Sequence, residues 1–242
     1  MQGFSTSIAN SAAAPDLVVR NAESVSRDAL GISSNSVFAC HCCRPKFSVK
    51  RVLDVTLSLL MLCSLWPLMV VAAIAIQLSG SGPVFYISER IGRNGRRFRC
   101  YKFRTMIVQA ELLQEGLRGR NERDEILFKV AGDPRVTRVG RILRKYSVDE
   151  LPQLLNVLRG EMSLIGPRPP LLSEVARYKP EHFARLTVLP GMTGLWQVHC
   201  RNSNSFADYI NLDLAYIKHR SLWLDIRILW RTIGVVLAGT GI

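Results

Sequence analysis

Residues Val55 to Leu78 read VTLSLLMLCSLWPLMVVAAIAIQL, an apolar run without a charged side chain that sets the architecture expected for the whole chain. At about 1.5 Å of rise per residue, a helix of this length roughly matches the hydrocarbon thickness of a bilayer. Pro67 lies near its middle, where it removes one backbone hydrogen bond and crowds the preceding turn. The run therefore predicts a membrane helix that is bent or broken at Pro67.

Basic residues flank this run on both sides. Lys50 and Arg51 precede it, and the stretch from Arg90 to Arg104 that follows is rich in arginine. Because basic flanks prefer the cytoplasmic side and its anionic leaflet, we expect a re-entrant helix that returns to the side it entered. A kinked single span and a buried helix of a soluble domain are the alternatives that the sequence leaves open.

The composition favours anionic partners. The chain of 242 residues has 32 Lys and Arg against 19 Asp and Glu, a formal net charge of +13. Nucleic acid, an acidic membrane surface and phosphorylated substrates all fit that charge. The cluster Cys40–Cys43 is followed by no second ligand pair, so we expect free thiols in a reducing, cytoplasm-facing location and no zinc site. The first residues lack the pattern of a signal peptide, and we expect none.

The chain divides into three parts. Residues 1–45 are rich in Ser, Ala and Asn without a sustained period, which predicts a loosely ordered tail. Residues 46–88 form the re-entrant anchor, and residues 89–242 a cytoplasmic domain. The predicted fold class is α+β and membrane-associated, with a mostly helical domain and a small β-hairpin.

Two segments of the cytoplasmic part carry most of this prediction. Gly82–Met106 predicts two strands joined by a turn at Asn94-Gly95. Ser221–Gly239 is amphipathic at first and then apolar, with Trp and Arg side chains that suit a helix lying at a membrane interface. A C-terminal core helix is the alternative for this second segment.

Two adjacent carboxylates, Asp149 and Glu150, pose the functional question. Ser147-Val148-Asp149-Glu150 fits a capping box, with Ser147 as N-cap and Glu150 reaching back to it. Pro152 conflicts with that pattern because it deletes a helical hydrogen bond just past the last free amide. Such local conflicts tend to occur at functional sites. The pattern alone leaves a helix cap and a functional site both open.

The residues around the pair favour phosphate chemistry. Arg144, five residues before Asp149, and the helix start would keep that carboxylate ionised at neutral pH. An ionised Asp can attack phosphorus as a covalent nucleophile, and an adjacent Glu can hold Mg²⁺ together with substrate phosphates. Arg144, Arg168 and Arg201 offer planar forks to phosphate oxygens.

A series of motifs then identifies a family. The motifs are KFRTM (Lys102–Met106), DPRVTRVGRILRK (Asp133–Lys145), SVDELPQLLNVLRGEMSLIGPRP (Ser147–Pro169), PGMTGLWQV (Pro190–Val198) and RN (Arg201–Asn202). In this order they closely resemble the bacterial sugar transferases, the monotopic phosphoglycosyl transferases that begin exopolysaccharide, O-antigen and glycoprotein glycan assembly. The resemblance covers about residues 46 to 242.

The resemblance implies a reaction and a location. It implies transfer of sugar-1-phosphate from a UDP-sugar, with glucose or galactose favoured, to undecaprenyl phosphate, and release of UMP. The expected location is the cytoplasmic face of the bacterial inner membrane, where downstream glycosyltransferases would take over the product. It implies that Asp149 attacks the β-phosphate to give an aspartyl-phosphosugar, that Glu150 binds Mg²⁺ and that Arg144 acts at the same site. The residues expected to bind substrate are Arg168, Arg201, Lys102 and Asp213.

Two positions depart from the family pattern. Trp66 replaces the usual Ser before the breaking proline, so Ser64 or another partner must satisfy the freed backbone groups. Cys200 replaces the usual Gly before Arg201. The rival interpretation is a membrane-tethered binding protein without catalysis, either a scaffold or a nucleic-acid binder. We expect no nucleic-acid binding, because the basic stretch carries no base-reading motif.

Overall fold

We describe the fold over residues 48–121, 128, 130, 132–199 and 205–239 of a computed structural model. The predicted tail, the Cys40–Cys43 cluster, Cys200 and Arg201 lie outside the described residues. The predictions made for those segments therefore stay predictions.

The apolar run forms one helix, α1 (Val49–Leu78), which contains Pro67. The Ser48 side chain caps it by accepting a hydrogen bond from the backbone N–H of Arg51. Because the helix continues on both sides of Pro67, the structure contains no break there, and a bend stays a prediction. The Ser64 hydroxyl donates to the carbonyl of Met61 at 3.2 Å, three residues back, as a helical serine commonly does.

Both ends of α1 contact the rest of the described chain. Near its start, the Asp54 carboxylate accepts a hydrogen bond from the backbone N–H of Leu164 at 3.1 Å. Beyond its end, the Arg104 guanidinium donates to the carbonyl of Gly80 at 2.8 Å. The middle of the helix leaves large apolar side chains uncovered, among them Trp66, which is 60% exposed. Among the described residues, α1 is the helix that is long and apolar enough to cross a membrane.

The predicted hairpin is confirmed. Strands β1 (Phe85–Ile91) and β2 (Arg97–Phe103) pair antiparallel from Phe85↔Phe103 to Ile91↔Arg97. Asn94 and Gly95 have φ angles of 57° and 77°, the left-handed region that these two residue types enter most easily. The hairpin places β2 beside the segment that carries the carboxylate pair.

Short elements make up the rest of the domain. The later helices are α2 (Arg138–Lys145), α3 (Leu154–Arg159), α4 (Leu172–Val175), α5 (Leu195–His199), α6 (Phe206–His219) and α7 (Leu222–Leu237). Strands β3 (Ser163–Ile165) and β4 (Gly191–Thr193) pair in parallel. Tight 3₁₀ turns cover Glu115–Arg120, Val148–Gln153 and Pro180–Thr187. The predicted mixture of a mostly helical domain and a small hairpin is therefore confirmed.

The C-terminal helix α7 combines the two alternatives drawn from the sequence. Its inner face packs into the main core through Ile228, which is 1% exposed. Its outer face carries an uncovered apolar stripe at helical spacing, formed by Trp223, Ile226, Trp230, Ile233 and Leu237. One side of α7 thus belongs to the core, and the opposite side has the character of an interfacial helix.

Candidate active site

The carboxylate pair lies in the 3₁₀ turn Val148–Gln153 and not in the first turn of an α-helix. Ser147 is left-handed, with φ 55° and ψ 21°, and its side chain makes no capping hydrogen bond. The predicted capping box is therefore wrong, because an N-cap needs an extended backbone at that position. Pro152 lies inside the turn, and α3 begins only after it, at Leu154.

The 3₁₀ geometry separates the two carboxylates. With three residues per turn, side chains three positions apart lie above one another. Glu150 and Gln153 share one face of the turn, and both line a cavity of about 340 Å³. Asp149 and Pro152 share the next face, which is buried. Asp149 is therefore covered while its neighbour Glu150 forms part of the cavity wall.

The cavity is rich in positive charge. Two carboxylates, Asp133 and Glu150, belong to the described part of its wall. The cationic side chains on the same wall are Arg90, Lys102, Arg135, Arg144 and Arg168. Apolar groups that include Phe128 and Trp196 complete the lining. A cavity with this excess of cations suits an anionic ligand that also has an apolar or aromatic part.

Lys102, on β2, forms an ion pair with Glu150. Its Nζ lies 2.6 Å from Glu150 Oε1, and the two side chains are 24% and 34% exposed. The KFRTM motif, whose Lys102 was predicted to bind substrate, therefore contacts the carboxylate pair directly. The pair fixes Glu150 on the cavity wall and brings a positive charge close to Asp149.

Asp149 is 9% exposed, and burial raises its pKa to about 6. The positive charges of Lys102 and Arg144 lower this pKa, whereas the negative charge of Glu150 raises it. A carboxyl with this pKa is mostly ionised at neutral pH, as predicted from the sequence, although burial opposes its ionisation. Within the part of the chain that the structure describes, no other side chain forms a hydrogen bond to this carboxylate. Asp149 is therefore a buried anion whose oxygens are not committed to a neighbouring side chain.

Arg144, on α2, lies on the cavity wall as predicted. Its Nε donates to Thr105 Oγ1 at 2.8 Å, which fixes the guanidinium at the end of β2. Gly140, one turn earlier, allows this close approach, since a Cβ there would lie 2.1 Å from the Thr105 carbonyl oxygen. Burial lowers the pKa of Arg144, and the nearby Asp149 raises it.

Arg168 also lines the cavity, and the residues behind it hold it in place. Its guanidinium lies 3.2 Å from Glu174 Oε1, and its backbone carbonyl accepts a hydrogen bond from Arg185 at 2.8 Å. Glu174 in turn accepts a hydrogen bond from the backbone N–H of Leu171 at 2.8 Å. These contacts orient the fork of Arg168 as a binding residue requires.

Asp213, which was predicted to bind substrate, lies behind the cavity wall, and its role in binding stays a prediction. Its side chain is 1% exposed and forms an ion pair with the fully buried Arg185 at 2.5 Å. A carboxylate enclosed in this way is not part of the described cavity wall, and its charge is already balanced by Arg185. Asp213 contacts Arg185, which in turn donates a hydrogen bond to the backbone carbonyl of Arg168 on the cavity wall.

The wall residues missing from the sequence-based set include three hydrogen-bond donors, Arg90, Arg135 and Gln153. Arg90 donates to the Pro169 carbonyl at 3.0 Å, which places it beside Arg168. The Arg135 guanidinium donates two hydrogen bonds to the Asp133 carboxylate, from Nε to Oδ1 at 2.9 Å and from Nη2 to Oδ2 at 2.7 Å. Gln153 is the third. Arg90 belongs to a stretch with so many arginines that no single one is distinguished, whereas the DPR motif does place Asp133 and Arg135 close together.

The residues present fit a Mg²⁺ ion that is shared with substrate. Within the described ranges, no three His, Cys, Asp or Glu side chains form a group that could enclose a metal. Mg²⁺ is nevertheless usually held by one or two carboxylates, several waters and substrate phosphates. Glu150 offers a wall carboxylate next to Asp149, and Lys102 contacts one of its two oxygens, Oε1.

Comparison with known proteins agrees with this site. The family profile described as Bacterial sugar transferase matches residues 45–239. A UDP-galactose-lipid carrier transferase of Erwinia amylovora is 47% identical over 198 residues, which are 80% of this chain and 41% of the relative. An undecaprenyl-phosphate galactose phosphotransferase of Salmonella typhimurium is 44% identical over 200 residues, with 80% and 41% covered.

The relatives differ in length: some are much longer than this chain, and others are of similar length. The chain spans about two fifths of the two long relatives above. The exopolysaccharide production protein ExoY of Sinorhizobium fredii is 42% identical over 196 residues, and there 79% of this chain and 87% of the relative are covered. The matched region contains the carboxylate pair, the cationic cavity and helices α1 to α7. The chain therefore belongs to the bacterial sugar transferase family.

Proposed function

We propose that this protein transfers sugar-1-phosphate from a UDP-sugar to undecaprenyl phosphate and releases UMP. The observation that carries the proposal is Asp149, a buried and mostly ionised carboxylate beside a cavity lined with cations. The relatives' names supply the two substrates, since they include a UDP-galactose-lipid carrier transferase and an undecaprenyl-phosphate galactose phosphotransferase.

In the first step, an Asp149 oxygen attacks the β-phosphorus of the UDP-sugar. A phosphorus–oxygen bond forms to Asp149, and the bond from the β-phosphorus to the bridging oxygen breaks. UMP leaves with that electron pair, and an acyl phosphate that carries the sugar remains on the enzyme. The burial of Asp149 favours this step, because a poorly solvated carboxylate loses little hydration when it attacks.

In the second step, a phosphate oxygen of undecaprenyl phosphate attacks the same phosphorus. The bond to Asp149 breaks, the carboxylate is restored, and the sugar is linked to the lipid through a diphosphate. Two displacements at one phosphorus allow donor and acceptor to use the same cavity in turn. The cations on its wall meet the phosphate charge in both steps.

The charged wall residues predicted from the sequence each have a role in this scheme. Arg168, oriented by Glu174, is placed to bind donor phosphate oxygens in a forked contact. Arg144 and Lys102 offset the charge on the phosphoryl group under attack and favour the ionised form of Asp149. Mg²⁺ held by Glu150 would supply a further positive charge to the diphosphate. Arg201, outside the described residues, stays a proposed donor contact.

We further propose that the catalytic domain lies at the cytoplasmic leaflet of the bacterial inner membrane. Both ends of α1 contact the domain while its middle turns leave apolar side chains uncovered, which favours re-entry over a straight span. The outer stripe of α7 offers a second apolar surface to the lipid. This placement gives the site access to a lipid phosphate and to a cytoplasmic nucleotide sugar.

A hexose is the proposed sugar, with galactose or glucose favoured. Two relatives above are named for galactose, and another, from Komagataeibacter xylinus, is named an undecaprenyl-phosphate glucose phosphotransferase. A relative from Aeromonas hydrophila is named for N-acetylgalactosamine, so an assay needs N-acetylated donors as well. A panel of UDP-sugars with undecaprenyl phosphate identifies the substrate by the rate of UMP release.

The decisive variant is Asp149→Asn. It keeps the size of the side chain but removes the nucleophile, so UMP release is expected to fall to background while the protein stays folded. Glu89→Gln is the matched control, because the Glu89 side chain is 61% exposed and is not part of the cavity wall. Equal turnover by wild type and Asp149→Asn would reject catalysis by Asp149 and favour the scaffold interpretation.

A further inference from the structure

Gln153 is a polar residue of the cavity wall to which the proposed function assigns no role. It is 3% exposed and still lines the cavity. Its place follows from the 3₁₀ turn, which puts it directly above Glu150 on the cavity face. In an α-helix, with 3.6 residues per turn, these two side chains would be turned about 60° apart and would not lie directly above one another.

The carboxamide of Gln153 has no partner within the described chain. No hydrogen bond joins it to another described side chain or to a described backbone group. Gln153 is not among the described residues with a fully enclosed, unpartnered polar atom, so the small part of it that is exposed opens to the cavity that it lines. A group that is buried, unpaired and on a cavity wall is therefore available to a ligand in that cavity.

The neighbours of Gln153 indicate which part of a ligand it meets. It lies one turn after Glu150, four residues after the proposed nucleophile Asp149, and on the same wall as Lys102. The group closest to Asp149 in the proposed reaction is the β-phosphate of the donor. Phosphate oxygens only accept hydrogen bonds, and the carboxamide NH₂ can donate two.

We propose that Gln153 is a substrate-binding residue whose NH₂ donates a hydrogen bond to a non-bridging oxygen of the donor β-phosphate. This inference rests on the proposed function, because it assumes a nucleoside diphosphate donor. Gln153 then adds a neutral donor beside the cations of the wall. Because its side chain is neutral, Gln153 orients the phosphoryl group without disturbing the ion pair between Lys102 and Glu150.

The test compares UDP, which has a β-phosphate, with UMP, which lacks one. Binding of each nucleotide to the full chain in nanodiscs with Mg²⁺ is measured by calorimetry for wild type, Gln153→Met and Gln153→Glu. Loss of a hydrogen bond to a charged group is expected to weaken UDP binding about ten- to a hundredfold in Gln153→Met. Gln153→Glu should weaken UDP binding further, because a carboxylate repels phosphate. UMP binding to Gln153→Met should change less than about twofold.

Controls separate the possible failures. Gln114→Glu changes an exposed glutamine outside the cavity and should bind both nucleotides as wild type does. Equal weakening of UDP and UMP binding in Gln153→Met would mean that the residue shapes the cavity and does not contact the β-phosphate. Unchanged UDP binding would also overturn the inference. If wild type itself binds neither nucleotide, the proposed donor class fails, and the inference fails with it.

Discussion

Replacement of Lys102 by Met should move the pH dependence of the first chemical step. Burial raises the pKa of Asp149 to about 6, and Lys102 is the cation that lowers this pKa most. With that pKa, about nine tenths of the carboxyl is ionised at pH 7. Removal of an opposite charge at short range raises a carboxyl pKa by about one to three units. The loss of the Lys102–Glu150 contact at 2.6 Å acts in the same direction, because the negative charge of Glu150, which raises the pKa of Asp149, is then offset less.

The magnitude follows from the ionised fraction. If the pKa of Asp149 rises to between about 7 and 9, that fraction at pH 7 falls to between about one half and one hundredth. The rate of the first step should then fall about 2- to 100-fold at pH 7 in Lys102→Met. It should recover towards the wild-type rate as the pH approaches 9, because the nucleophile ionises again.

The assay is single-turnover release of UMP from a saturating UDP-sugar between pH 5 and pH 9. Wild type should lose activity below a midpoint of about 6, the pKa of Asp149. Lys179→Met is the control, since Lys179 is exposed and outside the cavity wall. A deficit in Lys102→Met that is the same at every pH would refute the electrostatic reasoning and would assign Lys102 to substrate binding alone.

Further predictions concern stability and membrane contact. Asp149→Asn should raise the free energy of unfolding at pH 7 by up to about 3 kcal/mol, because the folded-state pKa of about 6 lies above the usual 3.8. The cost of ionising this buried group appears as the pH rises from about 4 to about 6, so the gain should be absent at pH 4 in urea titrations. Asp213→Asn should lower the free energy of unfolding by about 3–5 kcal/mol, since Arg185 keeps its buried charge and loses the compensating one; a change below about 1 kcal/mol would contradict this. Trp230→Glu, on the exposed stripe of α7, should reduce binding to anionic vesicles while the unfolding midpoint stays unchanged, and unaltered vesicle binding would argue against an interfacial helix.

The sequence predicted the local elements whose signals are short-range. Asn94-Gly95 between alternating residues predicted the hairpin, and the apolar run predicted α1. From the family motifs, Arg144 and Glu150 were given catalytic roles and Lys102 a substrate-binding role, and the structure brings all three to one cavity. Such features depend on residues that are close in sequence or on the order of motifs along the chain.

The remaining features depend on packing that no local pattern encodes. The capping box at Ser147 fits the local pattern except for Pro152, and the left-handed backbone at Ser147 prevents the cap. Gln153 was missed because its access to the cavity depends on a 3₁₀ period, for which Pro152 was the sole local sign. The pairing of Asp213 with Arg185 could not be predicted, because Arg185 lies on a distant turn and sequence does not show which acid will balance a buried arginine.

The central claim is tested most directly by capture of the enzyme-bound sugar phosphate. Purified wild type is incubated with labelled UDP-sugar and Mg²⁺ in the absence of lipid phosphate, quenched in acid and mapped by peptide mass spectrometry. The account predicts one sugar phosphate on the peptide that contains Asp149, its loss when undecaprenyl phosphate is added before the quench, and no label on Asp149→Asn. A wild-type enzyme that turns over with both substrates but carries no label at Asp149 when saturated with donor alone would contradict it.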